Sequence, residues 1–236
     1  MRVVILGQGY VGLPVSLRAV EVGLNVVGFD VDERRVAALA EGRSFIDDVS
    51  DDQLHRILET GRFHPSSDPA DIAGFDIAVI SVPTPLRDGD PDLSYMESAA
   101  DLVAVHIRPG SCVILESTTY PGTTEELLVP RLEAGSGLRA GADFGVGYSP
   151  ERIDPSNATW NFVNTPKIVA GIDAASLDQV DDFYRKLVDT TVRVGGLREA
   201  ELAKLLENTF RHVNIALVNE LAMSTHGLGI DVWEHA

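Results

Sequence analysis

Short apolar runs alternate with amphipathic helical patterns along most of the chain. The predicted buried strands are the runs at 3–6, 25–29, 77–82, 112–116 and 144–148. Between them, apolar residues recur at spacings of three and four, which is typical of helices with one buried face. Strands that alternate with helices predict a mostly parallel sheet covered on both faces, an α/β fold of the doubly wound, Rossmann-like class.

Polar residues next to the helical patterns predict where several helices begin. Asp32 is expected to cap a helix that ends near Gly42. A capping box pairs a hydroxyl residue with an acid or amide three residues later, and together they satisfy free backbone amides. Such boxes are expected at Ser50 with Gln53, Ser94 with Glu97 and Thr123 with Glu126.

The rest of the chain is predicted to form strands at 167–170 and 191–194 around a helix at 174–187, and then one long helix from 197 to at least 222. This last helix would run about 40 Å, which is long enough to leave the sheet and act as a spine between domains or subunits. Its predicted buried stripe consists of Leu202, Leu206, Phe210, Val213, Leu217 and Leu221.

Three glycines directly after the first predicted strand indicate a nucleotide-binding turn. Gly7 permits a tight turn, Gly9 lets the backbone approach a pyrophosphate, and Gly12 lets the next helix pack close to the sheet. The start of that helix offers free backbone amides and the positive end of the helix dipole to the phosphates. Asp30 ends the second strand, where a carboxylate accepts hydrogen bonds from both ribose hydroxyls and repels a 2′-phosphate. The pattern therefore predicts NAD rather than NADP, the alternative being a glycine turn that binds nothing.

Composition narrows the class of protein. The chain has 236 residues, 44% of them hydrophobic, which is enough for a substantial core. A formal charge of −17 argues against nucleic acid or an anionic membrane as a partner. With one cysteine there is no internal disulfide, so a reducing, cytoplasmic setting is expected. The sequence has no apolar run of a membrane span's length and no signal-peptide pattern.

Polar residues in the loops after the strands are candidates for chemistry, because ligands of open parallel sheets bind there. Thr118 suits a role in orienting a substrate hydroxyl or in satisfying local backbone, and Glu151 suits a general base or a solvated acid. Lys204 suits an oxyanion site or an ordinary solvated position. Cys112, within a predicted strand, is expected to be an inert buried thiol. The histidines lack metal-ligand spacing, so no metal site is predicted.

Five motifs resemble those of the nucleotide-sugar 6-dehydrogenases, the UDP-glucose/GDP-mannose dehydrogenase family. They are Gly-Gln-Gly-Tyr-Val-Gly-Leu-Pro at 7–14, Ser-Val-Pro-Thr-Pro at 81–85, Glu-Ser-Thr-Thr-Tyr-Pro-Gly-Thr-Thr at 116–124, Ser-Pro-Glu-Arg at 149–152 and Lys-Leu-Leu-Glu-Asn at 204–208. The family oxidises the C6 alcohol of a nucleotide sugar to a carboxylate with two NAD, through an aldehyde-level stage and a cysteine thioester. The resemblance covers the whole chain and implies this activity.

The resemblance also implies roles for individual residues. Thr118 would position a catalytic water and Glu151 would assist thioester hydrolysis. Lys204 with Asn208 would hold the oxygen that becomes an alkoxide. The implied NAD contacts, with Arg35 on the adenosine side, are Gly7, Gly9, Tyr10, Val11, Gly12, Asp30, Arg35, Val82, Pro83, Thr84, Ser117 and Thr118. The implied substrate contacts are Glu151, Arg152, Lys204, Asn208 and Arg211.

The chain departs from the family at the nucleophile. The family carries its catalytic cysteine in a Gly-Gly-x-Cys segment downstream of the long helix, followed by an aspartate and a uridine-binding C-terminal domain, and the sequence contains none of these. Residues 1–196 are therefore predicted to be an NAD-binding domain and 197–236 the beginning of a central helical domain, in a chain that looks cut short. Such a fragment is expected to bind NAD without sustaining the four-electron oxidation.

The expected substrate is a UDP-sugar. Residues 208–216, together with Arg152 and Asp154, resemble the branch that acts on UDP-N-acetylhexosamines, although bacterial UDP-glucose enzymes have similar helices. Arg211 suits either a phosphate or an acetamido carbonyl. A homodimer through the long apolar stripe is the expected assembly. Two other classes stay open: an NAD dehydrogenase of the 3-hydroxyacyl or 6-phosphogluconate type, and a non-catalytic NAD-sensing module.

Overall fold

The computed structural model describes residues 1–152, 159–226 and 228–229. The strands in these ranges are β1 (Arg2–Leu6), β2 (Asn25–Phe29), β3 (Phe63–Ser66), β4 (Ile77–Ile80), β5 (Leu86–Arg87), β6 (Asp90–Pro91), β7 (Cys112–Leu115), β8 (Gly145–Tyr148), β9 (Lys167–Gly171) and β10 (Thr191–Arg193). The helices are α1 (Gly12–Glu21), α2 (Glu33–Ala40), α3 (Asp51–Glu59), α4 (Ser94–Ala104), α5 (Val129–Ser136), α6 (Ala174–Leu187) and α7 (Leu197–His226). A 3₁₀ turn at Pro69–Ile72 and a π-helical turn at Thr124–Leu128 complete them.

Eight of the strands form one sheet in the order β3-β2-β1-β4-β7-β8-β9-β10. Neighbouring strands run parallel except β8 and β9, which are antiparallel. The predicted mostly parallel, doubly wound sheet is therefore confirmed. Because β1 pairs with β2 on one side and β4 on the other, the crossovers diverge at β1 and leave a crevice at its carboxyl end.

Alternate residues of the strands face two separate cores, as the pleat of a sheet requires. Val3 and Ile5 face a core completed by α1, α3 and α6. Val4 and Leu6 face the other, completed by α4, α5 and the first turn of α7. All four residues are at most 1% exposed, so the sheet is rigid where β1 meets the glycine turn.

Two strand regions were not expected from the sequence. β3 has the sequence Phe-His-Pro-Ser, and its polar residues and proline fit an edge strand that the apolar pattern does not reveal. β5 and β6 form a hairpin in a segment for which no strand was predicted. Asp88 and Gly89 sit at its tip with φ of 56° and 95°, which fits the Asp-Gly preference of tight hairpin turns.

Two predicted caps are confirmed. The side chains of Asp32 and Ser50 accept hydrogen bonds from the amides of Arg34 and Gln53, at 3.0 and 3.2 Å. These acceptors satisfy amides that the first helical turn leaves without partners.

Two other predicted caps are wrong. Ser94 is the first residue of α4 rather than its cap, and its amide donates to Asp92 at 3.0 Å. Thr123 does not cap the next helix, because its hydroxyl donates to the Tyr120 carbonyl at 2.7 Å. The amides there are satisfied by Glu201, a residue 77 positions later in the chain.

The long final helix is confirmed, but its predicted buried stripe is wrong for this chain. Only its first two turns pack on the sheet, where Leu197 and Ala200 are buried. Farther along, Leu206, Phe210 and Leu217 are 67%, 69% and 56% exposed. The helix extends away from the sheet beyond these turns. Helical spacing correctly predicts that the apolar residues share one face, but no other described residues pack over that face.

Across the described ranges, each helix falls short of the length or the apolar character that crossing a lipid bilayer requires.

Candidate functional site

A cavity of about 830 Å³ opens at the carboxyl ends of β1, β2, β4 and β7. Its size suits a cofactor or small-molecule ligand. The predicted NAD contacts that line it are Gly7, Gly9, Tyr10, Val11, Asp30, Arg35, Val82, Pro83, Thr84, Ser117 and Thr118. Glu116 and Glu151 also line it, so the cavity joins the glycine turn to the polar loops after β7 and β8.

The glycine turn is compact because side chains there have no room. Gly7 has a φ of 87°, and a Cβ on it would lie 2.7 Å from the backbone oxygen of Ser81. A Cβ on Gly12 would lie 1.8 Å from the Gly7 oxygen, so this glycine is packed behind the turn. A Cβ on Gly9 would meet open space. Thus Gly7 and Gly12 serve the fold, and the open space at Gly9 is available to a ligand.

The N-terminus of α1 faces this cavity. Val11, at the cap position, has no side-chain oxygen with which to cap the helix, and the first turn carries no acid. Gly9, Tyr10 and Val11 line the cavity. Free amides and the helix dipole make such a terminus a binding site for a phosphate group.

Asp30 lines the cavity directly after β2 and is already held by several donors. Its Oδ2 accepts from the amide of Gln8 at 2.8 Å and from Arg35 at 2.9 Å. Its Oδ1 accepts from the amide of Asp32 at 3.0 Å. Asp30 is only 4% exposed, so its carboxylate is fixed in orientation.

Two groups that were not predicted from the sequence hold this end of the site. The Arg35 guanidinium lies 4.8 Å from the centre of the Phe45 ring, in a cation–π contact. The hydroxyl of Ser81 donates to the carbonyls of Leu6 and Gly7, at 2.9 and 3.0 Å. The Ser81 contact ties the end of β4 to the glycine turn.

The loops after β4 and β7 are joined by hydroxyl groups. Thr84 donates to the backbone oxygen of Thr118 at 2.8 Å, and Ser117 donates to that of Val82 at 2.7 Å. The hydroxyls of Thr84 and Ser117 thus satisfy backbone oxygens of the neighbouring loop. Thr118 is exposed on the cavity wall.

Glu151 and Lys204 meet although they are 53 positions apart. The Nζ of Lys204 donates to the backbone oxygen of Glu151 at 2.6 Å and lies 3.4 Å from Oε2. Lys204 is 8% exposed, so the solvated alternative for this lysine is wrong. Burial raises the pKa of the Glu151 carboxyl, and the charges of Lys204 and Lys167 oppose that rise. A carboxyl with a raised pKa beside a fixed cation suits proton transfer.

The remaining predicted substrate contacts are Arg152, Asn208 and Arg211. Arg152 forms an ion pair with Glu207 of α7 at 2.7 Å. Asn208 and Arg211 lie on the exposed part of α7. Asp154 lies outside the described residues.

Buried charges behind the site escaped the sequence analysis. Glu201, fully buried, accepts from the amides of Gly122 and Thr124 at 2.5 and 2.9 Å. Glu116 and Lys167 form a buried pair beside Tyr184. Their partners lie far apart in the chain, so periodicity and local motifs could not reveal them.

Cys112 is buried within β7, as predicted. Burial raises the pKa of its thiol to about 12. Because the thiolate is the reactive form, this cysteine is inert.

Comparison with known proteins agrees with this geometry. The model of the NAD-binding domain of the UDP-glucose/GDP-mannose dehydrogenase family matches residues 1–188, and that of the family's central domain matches 198–236. The chain is 37% identical to UDP-N-acetyl-D-mannosamine dehydrogenase of Pyrococcus horikoshii, over 99% of the chain and 56% of that relative. It is 38% identical to UDP-N-acetyl-D-glucosamine 6-dehydrogenase of Pseudomonas aeruginosa, over 98% of the chain and 54% of the relative.

Solved structures agree as well. The structure of the Pyrococcus horikoshii enzyme superposes with a TM-score of 0.93 over 99% of the chain and 56% of that structure. A ternary complex of GDP-mannose dehydrogenase from Pseudomonas aeruginosa gives a TM-score of 0.90 at 30% identity, covering 99% of the chain and 55% of that structure. The chain thus spans about half the length of the curated relatives it matches. With two family models covering most of its residues, the chain belongs to the UDP-glucose/GDP-mannose dehydrogenase family and carries its NAD-binding domain.

Proposed function

We propose that this chain supplies the NAD-binding part of a dehydrogenase that oxidises the C6 alcohol of a UDP-N-acetylhexosamine to the uronic acid. The observation that carries the proposal is the single cavity in which the glycine turn, Asp30, Thr118 and Glu151 converge. In this proposal the chain has two parts: residues 1–196 form the NAD-binding domain, and residues 197–236 begin the central helical domain.

The chain's own groups fit NAD. The uncapped start of α1 and the open space at Gly9 suit the pyrophosphate. The fixed Asp30 carboxylate suits the adenosine ribose and disfavours a 2′-phosphate, with Arg35 beside it. The loops at 82–84 and 117–118 also line the cavity. When bound, NAD supplies the acceptor for the hydride that leaves the alcohol carbon.

The catalytic roles fall to polar groups of the loops after β7 and β8 and of α7. Lys204, a buried cation, is suited to stabilise negative charge on the substrate oxygen, with Asn208 one turn farther along α7. Thr118 positions a water, and Glu151 accepts or returns its proton during hydrolysis. The raised pKa of Glu151 supports the second role, because a carboxyl that binds its proton more tightly is a better base.

The sugar is proposed from the relatives. Two relatives at 37% and 38% identity are named as UDP-N-acetyl-D-mannosamine and UDP-N-acetyl-D-glucosamine dehydrogenases. Arg152 and Arg211 would contact the UDP-sugar through phosphate or acetamido oxygens. UDP-glucose is the second candidate.

We propose further that the protein works in the cytoplasm as a homodimer. The buried, inert Cys112 suits a reducing compartment. The exposed apolar residues of α7 suit a contact between subunits.

A binding experiment tests the cofactor assignment. NAD should raise the melting temperature of these 236 residues more than NADP does, because a ligand that binds only the native state stabilises it. Gly9→Ala should keep the fold and lose most of this shift, since its Cβ would occupy the space offered to the pyrophosphate. Gly195→Ala is the matched control, because its Cβ also meets open space but lies outside the cavity lining. Equal NAD responses in both variants would refute the assignment.

A steady-state assay tests whether these residues alone can carry out the oxidation. These residues alone should form no sustained NADH from NAD and UDP-sugars, because the one thiol in the sequence is buried in β7. Robust turnover would contradict this part of the proposal.

A further inference from the structure

A buried ion pair adjoins the loop that carries Glu151. Lys167 begins β9 and Glu116 follows β7, and they are 2% and 1% exposed. The Nζ of Lys167 contacts Oε1 of Glu116. The other carboxylate oxygen, Oε2, accepts a hydrogen bond from the Tyr184 hydroxyl at 2.9 Å. Both oxygens of Glu116 are therefore engaged.

The ammonium of Lys167 makes a contact beyond this pair. Its Nζ donates to the backbone oxygen of Pro150 at 3.1 Å. It also lies 4.8 Å from the ring centre of Tyr184 and 5.7 Å from that of Phe162. A carboxylate, a carbonyl and two rings surround it, so its position is fixed.

Stability is a weak explanation for such a pair. Removing two charges from water costs free energy that their attraction often fails to recover, and well-packed apolar residues of similar volume are often more stabilising. Fixing a particular conformation is a better-supported use of buried charge, and here the fixed group is a backbone carbonyl.

That carbonyl belongs to the residue directly before Glu151. The next carbonyl, of Glu151 itself, accepts from Lys204 at 2.6 Å. Two consecutive carbonyls are thus held by two buried lysines, one on β9 and one on α7. The Glu151 side chain, on the same short segment, lines the cavity.

We propose that Lys167, held by Glu116 and Tyr184, is a positioning residue that fixes the Pro150 carbonyl and so directs the Glu151 side chain into the cavity. The proposal rests on the proposed function for its kinetic consequence, because Glu151 matters there as the base. Its structural part, that Lys167 sets the course of the 150–151 backbone, stands independently.

Two variants, made in the dehydrogenase to which the proposed function assigns this chain, isolate the contact. Glu116→Gln keeps the Lys167 ammonium and its bond to Pro150, because the amide oxygen of glutamine can still accept from Nζ. Glu116→Gln/Lys167→Met also removes the ammonium while leaving no unpaired buried charge. We expect kcat of the double variant to be about 100-fold below that of Glu116→Gln, because a displacement near 1 Å at a catalytic group can cost that much. The KM for NAD and the stoichiometry of bound NAD should be the same in both variants.

Asp181→Asn provides a matched control for loss of a buried carboxylate. Asp181 is 2% exposed and accepts from Thr191 at 2.5 Å, on α6 and outside the cavity lining. This variant should lose stability and keep the parent kcat per bound NAD.

The outcomes separate this proposal from the proposed function. Equal kcat in the two Glu116 variants, or a fall in kcat that follows a fall in bound NAD, overturns the positioning role. If the parent dehydrogenase, as distinct from these 236 residues alone, forms no NADH from any UDP-sugar, the proposed function fails, and crystal structures of the parent and the double variant decide the structural part. A displaced 150–151 segment in the double variant supports it, and an unmoved segment overturns it.

Discussion

At the scale of single residues, the site is set by side chains whose hydrogen bonds are already made. Asp30 is held by the amides of Gln8 and Asp32 and by Arg35. A carboxylate fixed in this way needs little further ordering when a ribose arrives, so its contribution to binding is preserved. The same contacts make Asp30 the best position at which to test the preference for NAD.

Replacing Asp30 by alanine should weaken NAD binding by about 1.5–3 kcal/mol, the usual value of hydrogen bonds to a charged group. It should also narrow the advantage over NADP, because Arg35 would lose its ion pair and could face a 2′-phosphate. Calorimetric titration with both cofactors measures the two effects. Glu33→Ala, an exposed acid on the neighbouring helix, is the control. An unchanged preference would show that Asp30 does not select the cofactor.

Cys112 gives a prediction about pH. Burial raises the pKa of its thiol to about 12, with a smaller effect from the charge of Asp173. The unfolded thiol ionises near pH 8.5, so above that pH the unfolded state binds fewer protons than the folded state. The contribution of the protonated Cys112 thiol to the free energy of unfolding is therefore fully present below about pH 8.5. It is lost as pH rises, by about 1.4 kcal/mol per pH unit at most.

Denaturant unfolding from pH 8 to 11 measures this loss. In Cys112→Ala the unfolding free energy should fall less steeply with pH than in the parent, since the alanine does not ionise. Identical slopes would mean that the thiol does not titrate as its burial implies.

At the scale of elements, the first turns of α7 hold the two loops that carry Thr118 and Glu151. Glu201 binds the amides of Gly122 and Thr124 after β7, and Lys204, three residues later, holds the loop after β8. Residues three apart lie on the same helix face, so one helix face fixes two loops. This arrangement replaces the local cap that the sequence analysis expected at Thr123.

Loss of Glu201 should therefore be costly. Glu201→Ala leaves buried amides without an acceptor, and we expect it to reduce the unfolding free energy by about 3 kcal/mol. Glu220→Ala, on the exposed part of the same helix, should change it by about 0.5 kcal/mol or less. Thermal and urea unfolding compare the two variants. Equal stabilities would show that the loop does not depend on this carboxylate.

At the scale of the whole molecule, the main feature is a compact α/β sheet from which a 30-residue helix projects. Large apolar side chains along that helix are exposed, including Leu206, Phe210 and Leu217. Exposed apolar area of this extent usually marks a contact with another chain. The face is repeated at helical spacing, so it suits a symmetric contact with a second copy.

Sedimentation at micromolar concentration should accordingly show a dimer. Phe210→Glu/Leu217→Glu places charges in the proposed contact and should give a monomer, because an unpaired charge is costly to bury. Asn219→Glu, on the opposite face of the helix by spacing, should leave the dimer intact. A monomeric parent chain would refute the proposed assembly.

The sequence by itself determined the sheet, the long helix and the nucleotide-binding turn. The strands and helices follow from apolar runs and helical spacing, which are visible within a short stretch of sequence. The turn follows from its three glycines: a larger residue would clash at Gly7 and Gly12, and at Gly9 it would fill open space. The family motifs likewise identified the candidate residues. The edge strand β3 was missed because half its residues are polar and one is proline.

Only the tertiary structure decided which distant groups meet. Glu116 reaches Lys167 across 51 positions, Glu151 reaches Lys204 across 53, and Glu201 accepts from amides 77 and 79 positions earlier. No local pattern encodes such pairs, because each depends on the order of strands in the sheet and on where α7 docks. The fate of the apolar stripe was decided in the same way, since spacing predicts a shared face but packing determines what covers it.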